Sequence, residues 1–141
     1  GYINRELGVW RSGVDVLLAR SEGQWERKSV YNVENRDSVT ALAAGDLDGD
    51  HKLDLVALTG KGAYWAFVNE GKGSFARLTT APAALAGECR GYDVKVADLD
   101  RDGRAEIVTE FAGEGSPLLA PGECPSQGAI TAWKLLPNPN K

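Results

Sequence analysis

The chain contains a repeated pattern of about fifty residues, and this internal similarity limits the fold more than any other feature of the sequence. The segment VDVLLARSEGQW (residues 14–25) aligns without gaps on YWAFVNEGKGSF (residues 64–75), 50 positions later. Two acidic segments, DLDGDHKLD from Asp46 and DLDRDGRAE from Asp98, begin 52 positions apart. A chain of such units is expected to form a repeat architecture in which each unit packs against its neighbours.

Each unit consists of short runs that are typical of β-strands. In the middle unit, residues 38–46 precede the acidic segment, residues 53–59 follow it, and residues 63–69 and 74–80 come after Gly-rich turns. The spacing leaves no room for a helix of about 10 to 12 residues between the runs, so a parallel βαβ arrangement is disfavoured. We therefore predict an all-β fold of four-stranded antiparallel sheets.

The third unit repeats only part of this pattern. It contains the first two strands, a Gly- and Pro-rich insertion at residues 112–128, and then a strand within AITAWKLL. We expect the insertion to be a surface excursion. We expect a single module, residues 1–141, made of three approximate units: an incomplete one at residues 1–34, and two further ones at residues 35–86 and 87–141.

The alignment of the first unit has two solutions. The 50-residue offset places Asn4 opposite Asp54, so that the chain begins inside a third acidic loop. The hydrophobic pattern instead places Glu6 opposite Asp54, because LGVW is similar to LVAL. Both alignments stay open at this point.

The two acidic segments have the ligand spacing of a calcium loop. Calcium takes six to eight oxygen ligands at about 2.3 to 2.6 Å, and acidic residues at alternate positions of a curved loop supply them. Four carboxylates within nine residues would repel one another without a counter-ion, which makes a solvated turn the poorer interpretation. We predict two calcium sites: Asp46, Asp48, Asp50, the backbone carbonyl of Lys52 and Asp54; and Asp98, Asp100, Asp102, the backbone carbonyl of Arg104 and Glu106.

The sixth position of each loop is expected to need a positive φ, which glycine adopts with the least conformational strain. Gly103 meets this need in the second loop, whereas His51 takes the place in the first at a cost of about 1 kcal/mol. We therefore expect the first site to bind calcium slightly more weakly. An EF-hand is a poor interpretation, because Ala57 and Thr109 stand where it requires an acidic residue, and the neighbouring residues suit strands.

Residues 39–75, and again 92–111 with 129–136, resemble the FG-GAP repeat family, also met as VCBS repeats, found in integrin α-subunit heads and in many secreted bacterial proteins. The resemblance rests on DLDGDHKLDLV and DLDRDGRAEIV and on the downstream GKGSF, echoed by SEGQW. His51 in place of the loop glycine and the insertion after Phe111 depart from the family pattern. The resemblance implies that each unit is a four-stranded blade of a β-propeller, with a structural calcium ion in the loop between its first two strands.

The strand before the first loop has unusually small side chains, as a crowded propeller axis would favour. A closed propeller has about four to eight blades. We therefore expect a parent chain or an oligomeric partner to supply the blades that complete the ring. The small residues are Ala41, Ala43, Ala44 and Gly45.

Charge and cysteine content exclude several classes of function. The net charge is −4 and Lys and Arg are scattered, which argues against nucleic acid, and no apolar run approaches the roughly 20 residues of a membrane span. A structural zinc site lacks ligands, since Cys89, Cys124 and His51 are the only Cys and His residues. Cys89 and Cys124 are candidates for a disulfide, which would indicate an oxidising compartment; two buried free cysteines are the alternative.

We expect a non-enzymatic, secreted or cell-surface module that binds a protein or carbohydrate and acts in adhesion. The alternative is a lectin-like or accessory domain of a secreted enzyme that acts on polysaccharide or lipid. A catalytic domain ranks third, because the spacing of the carboxylates selects no catalytic pair. The carboxylates considered are Asp93, Glu110, Glu114 and Glu123. Aromatic residues that would suit sugar stacking, although packing between blades is their commoner role, are Trp10, Tyr64, Trp65 and Trp133.

Overall fold

Ten strands and one short 3-10 turn make up the regular structure of the described residues. The computed structural model describes residues 2–6, 9–34, 38–60, 62–78, 91–111 and 129–135. The strands are β1 (Tyr2–Glu6), β2 (Val9–Ala19), β3 (Trp25–Glu34), β4 (Val39–Gly45), β5 (Asp54–Thr59), β6 (Tyr64–Gly71), β7 (Ser74–Arg77), β8 (Gly91–Ala97), β9 (Glu106–Phe111) and β10 (Ala129–Trp133).

The strands form three antiparallel sheets, and the predicted all-β fold is confirmed. The middle sheet has the order β4-β5-β6-β7, which is the predicted four-stranded meander. The first sheet has the order β1-β2-β3 and the third the order β8-β9-β10. No helix within the described ranges is long and apolar enough to cross a membrane.

Backbone conformation supports the alignment of the first two units. The turn between β2 and β3 has two successive residues with positive φ, Glu22 at 61° and Gly23 at 74°. Fifty positions later, the turn between β6 and β7 has Lys72 at 54° and Gly73 at 74°. Strand β2 is therefore the counterpart of β6, and β3 the counterpart of β7.

Both alignments of the N-terminal residues are wrong. Asp54 begins β5 directly after the acidic loop, whereas Glu6 ends β1 and pairs with Val9 across the hairpin, and Asn4 pairs with Arg11. The reason is that β2 extends well before the segment that aligns with β6. The hairpin between β1 and β2 consequently closes earlier in the repeat than either alignment assumed.

Two hydrophobic clusters join the three sheets. Between the middle and third sheets the buried members are Leu47, Val56, Leu58, Tyr64, Ala66, Val94, Ile107 and Phe111, with Trp133 packed against them. Between the first and middle sheets they are Val14, Ala57 and Phe67, with Trp65 and Tyr31 packed alongside. Tyr64 is thus a core residue, and Trp65 and Trp133 are partly buried against the two clusters rather than free to stack on a sugar.

Strands β4 and β8 pack closely, and a glycine makes this approach possible. A Cβ atom placed on Gly45 would lie 3.1 Å from Cβ of Val96 and still closer to one of its methyl groups. The half-buried Ala41 and Ala43 of the same strand pack against the larger hydrophobic cluster. Small side chains on β4 therefore allow the middle and third sheets to meet.

Some predicted features lie outside the described residues. They include Cys89 and Cys124, the insertion at residues 112–128, and Glu114 and Glu123 within it. The pairing of the two cysteines therefore stays a prediction, as do the boundaries of the three units.

Candidate metal centre

The first acidic loop joins β4 to β5 and is held in shape by its own first carboxylate. Oδ1 of Asp46 accepts a hydrogen bond from the backbone N–H of Gly49 at 2.7 Å, and Oδ2 accepts one from His51 at 2.7 Å. The backbone N–H of Lys52 donates to Oδ1 of Asp50 at 2.9 Å. The loop therefore curves around its acidic side chains.

The second acidic loop joins β8 to β9 and repeats this arrangement. Asp98 accepts hydrogen bonds from the backbone N–H groups of Asp102 at 3.2 Å and Gly103 at 2.9 Å. The N–H of Arg104 donates to Oδ1 of Asp102 at 3.0 Å, as that of Lys52 does in the first loop. The shared pattern supports equivalent roles for the two loops.

Each loop needs a left-handed backbone at two positions rather than one. In the first loop these are Gly49, with φ of 84°, and His51, with φ of 64°. In the second they are Arg101, with φ of 63°, and Gly103, with φ of 87°. Each loop therefore has one glycine and one strained residue, and the expectation of a weaker first site, which rested on His51 alone, loses its basis.

Carboxylate oxygens converge in each loop. The structure brings together Asp46, Asp48 and Asp50 in the first, and Asp98, Asp100 and Glu106 in the second, with ligand atoms within 4.8 Å of one another. These are hard oxygen donors, which calcium prefers over nitrogen or sulfur. The two clusters fit a calcium ion, although Asp54 and Asp102 lie outside them.

The last acidic residues of the two loops, Asp54 and Glu106, close them in different ways. Oδ2 of the fully buried Asp54 accepts the N–H of Leu47 at 2.8 Å, and Oδ1 accepts the N–H of Asn69 at 2.8 Å. Oε2 of Glu106 likewise accepts the N–H of Leu99 at 2.8 Å, but its buried Oε1 faces Nζ of Lys134 at 2.9 Å rather than a second backbone N–H. The longer Glu side chain thus leaves one oxygen directed into its loop.

The pKa of Asp54 reflects both its burial and the excess of negative charge in the first loop. Burial raises this pKa above its ordinary value, and the charges of Asp48 and Asp50 act in the same direction. The two backbone N–H bonds to Asp54 oppose the effect without cancelling it. A bound cation would favour the ionised carboxylates, so the site is suited to positive charge.

The second loop contacts a cation that the sequence interpretation missed. Nζ of Lys134, directly after β10, lies 2.6 Å from Oδ2 of Asp100, 2.8 Å from Oδ2 of Asp102 and 2.9 Å from Oε1 of Glu106. Its hydrogen bond holds the pKa of Asp102 below the ordinary value, and the bond to Asp100 is the largest cause of a raised Lys134 pKa.

The strand register explains how Lys134 reaches the loop. Trp133, the last residue of β10, pairs with Ile107 of β9, so the residue that follows β10 comes near Glu106, where the loop ends. The segments AITAWK and EIVTEF form this strand pair, but the sequence alone does not specify their register. Sequence reasoning therefore could not place Lys134 beside the second loop. The predicted carbonyl ligands, those of Lys52 and Arg104, stay predictions.

The two loops are connected to each other. The backbone N–H of Ala105, in the second loop, donates to the backbone carbonyl of Asp46, in the first, at 2.7 Å. The side chain of Arg104 lies against Gly49, where a Cβ atom would be 3.1 Å from its Cγ. The two candidate metal centres are therefore neighbours in adjacent sheets.

Residues 52–109 match the model of the family described as FG-GAP-like repeat. The matched range begins at the end of the first loop, covers β5 to β8 and the second loop, and ends within β9. No curated protein and no solved structure matches the chain. The chain therefore contains an FG-GAP-like repeat over these residues, which confirms the resemblance there.

Proposed function

We propose that the chain is a calcium-binding part of a β-propeller, a secreted or cell-surface module that binds a protein or a carbohydrate and has no catalytic role. The observation that carries the proposal is the convergence of three carboxylates in each of two equivalent loops. Calcium would be held by Asp46, Asp48 and Asp50, and by Asp98, Asp100 and Glu106. The bound ion supplies positive charge that offsets the repulsion between these carboxylates.

A structural role for calcium follows from where the loops lie. Each joins the first two strands of a sheet, and the bond from Ala105 to Asp46 ties one loop to the other. Rigid loops at the ends of strands are common places for ligand binding, because the sheet beneath holds them in place. Each loop also exposes a leucine, Leu53 in the first and Leu99 in the second, which suits contact with a protein partner.

The carboxylates away from the loops support a non-catalytic reading. Asp93 and Glu110 lie opposite each other in the pairing of β8 with β9. However, Nζ of Lys95 lies 2.7 Å from Asp93, and its hydrogen bond lowers the Asp93 pKa. An acid–base pair needs one carboxyl group with a raised pKa, and this arrangement favours the opposite.

The test is a thermal melt of the chain with excess calcium and with excess chelator. At a calcium concentration 100 times Kd, one site stabilises the fold by about 2.7 kcal/mol, so the midpoint should rise by roughly 5–10 °C. Asp48→Asn with Asp50→Asn should remove the contribution of the first loop to the shift, whereas Asp93→Asn, outside the loops, should retain the whole shift. An unchanged midpoint in the unmodified chain would reject calcium binding.

The ligand class needs a separate measurement. A glycan array probed with the calcium-loaded chain and repeated in chelator separates a carbohydrate ligand from a protein ligand. Calcium-dependent glycan signals would favour the lectin-like alternative. Their absence would favour a protein ligand, to be sought by crosslinking at surface positions near Leu53 and Leu99.

A further inference from the structure

Lys134 places one ammonium group among three carboxylates of a single loop. Its Nζ is within 2.9 Å of oxygens of Asp100, Asp102 and Glu106. An ammonium group has three N–H donors, and here it faces three acidic side chains. The Lys134 side chain is only 28% exposed, so its position is set by packing as well as by charge.

The ammonium group contacts two of the acidic residues that would bind the metal. Asp100 and Glu106 belong to the converging cluster of the second loop and also contact Lys134. The contacting atom of Glu106, Oε1, is buried, and the partner that the structure gives it is Lys134. A calcium ion held by these carboxylates at about 2.6 Å would lie a few ångströms from the ammonium group, and repulsion between the two cations favours release of Lys134.

We propose that Lys134 is an internal cation of the second loop, which holds the loop when calcium is scarce and must be displaced before calcium binds there. The inference rests on the proposed function, since it assumes that the loops bind calcium. Lys134 then lowers the calcium affinity of the second loop and stabilises its calcium-free form. Because Lys134 directly follows β10, its release couples calcium binding to the end of that strand.

The first loop provides a contrast in geometry. Its nearby lysine, Lys52, belongs to the loop itself and donates to a carboxylate oxygen of Asp50. Lys134 instead approaches from a different strand and contacts three carboxylates. Displacement of Lys134 therefore changes a contact between two parts of the sheet, whereas movement of Lys52 is local.

The test measures calcium binding to the second loop alone. Asp48→Asn with Asp50→Asn disables the first loop, and calorimetric titration is then performed with and without Lys134→Met, which retains an apolar side chain for packing. We expect Lys134→Met to tighten calcium binding about tenfold, the factor suggested by three partly exposed ion pairs. Lys95→Met is the matched control, because it removes one positive charge from the same sheet without touching the loop.

A second readout requires no affinity measurement. In chelator, Lys134→Met should lower the melting midpoint, because the carboxylates lose their internal cation, and calcium should then raise the midpoint more than in the unmodified chain. Unchanged affinity of the second loop in Lys134→Met, while the first loop of the unmodified chain still binds calcium, would overturn this inference alone. Equal tightening by Lys95→Met would also overturn it. Failure of both loops of the unmodified chain to bind calcium would reject the proposed function as well.

Discussion

Leu47 and Leu99 occupy the same position in the two acidic loops, yet Leu47 is fully buried and Leu99 is 60% exposed. The difference arises from packing between sheets. Leu47 belongs to the cluster that includes Val94 and Ile107 of the third sheet, so a neighbouring sheet covers it. The burial of the leucine at the second loop position is thus set by contact with the following sheet and not by the loop itself.

Leu47→Ala and Leu99→Ala should therefore have very different effects. Truncation of the buried leucine leaves a cavity and should cost about 3 kcal/mol of unfolding free energy. The same truncation at Leu99 should change it by less than about 0.5 kcal/mol. Urea denaturation of the two variants makes the comparison, and similar losses at both positions would contradict the packing difference.

Gly45→Ala should destabilise the contact between β4 and β8. The new methyl group would overlap with Val96, and overpacking of this kind costs about 1–3 kcal/mol. Val96→Ala in the same chain removes the obstructing methyl groups, so the double variant should be more stable than the sum of the two single effects predicts. Additive losses in a double-mutant cycle would show that the two residues do not limit each other.

Asp54→Ala should destabilise the chain whether or not calcium is present. The buried carboxylate accepts N–H bonds from Leu47 and Asn69, and its loss would leave both donors without that partner, at a cost of about 3 kcal/mol. Asp48→Ala is the comparison, because its loss should lower the midpoint mainly in calcium. Melting curves of both variants in calcium and in chelator separate the structural role of Asp54 from the calcium-dependent role of Asp48. The same calcium dependence in both variants would contradict this assignment.

Local spacing made much of this molecule predictable. Carboxylates at alternate positions after a strand meet in a tight turn, so the grouping of Asp46, Asp48 and Asp50 follows from a few neighbouring residues. The strands were predictable for the same reason, because each is a short run of residues bounded by a glycine-rich turn. The matching positive φ values of Gly23 and Gly73 show that the repeat extends to the backbone of the turns.

Contacts between distant parts of the chain were not predictable in this way. Lys134 reaches the second loop only through the register of β10 on β9, which no local pattern specifies. The positive φ at Arg101 was missed because a glycine marks only one of the two left-handed positions in each loop. The contrast between Leu47 and Leu99 also depends on a neighbouring sheet, and identical residues in equivalent loops give no sign of it.

Alkaline pH should destabilise the fold through Tyr64. Burial raises the pKa of Tyr64 to about 12, against about 10 for an unfolded tyrosine, and its hydroxyl has no hydrogen-bond partner. Because the folded pKa is the higher one, the stabilising contribution of the neutral phenol is complete below pH about 10 and is lost as the pH rises to about 12. The total loss is about 3 kcal/mol at most.

Tyr64→Phe isolates this contribution, since phenylalanine retains the packing and cannot ionise. The variant should be about 1 kcal/mol more stable at pH 8, because the unsatisfied hydroxyl is gone, and its advantage should grow between pH 10 and 12. Tyr92→Phe is the matched control, because it removes the hydroxyl of an exposed tyrosine. The measurement is the urea midpoint of the unmodified chain and of the two variants from pH 8 to 12, taken after brief exposure to each pH. An advantage of Tyr64→Phe that stays constant with pH would mean that the phenol ionises as easily in the folded chain as in the unfolded one.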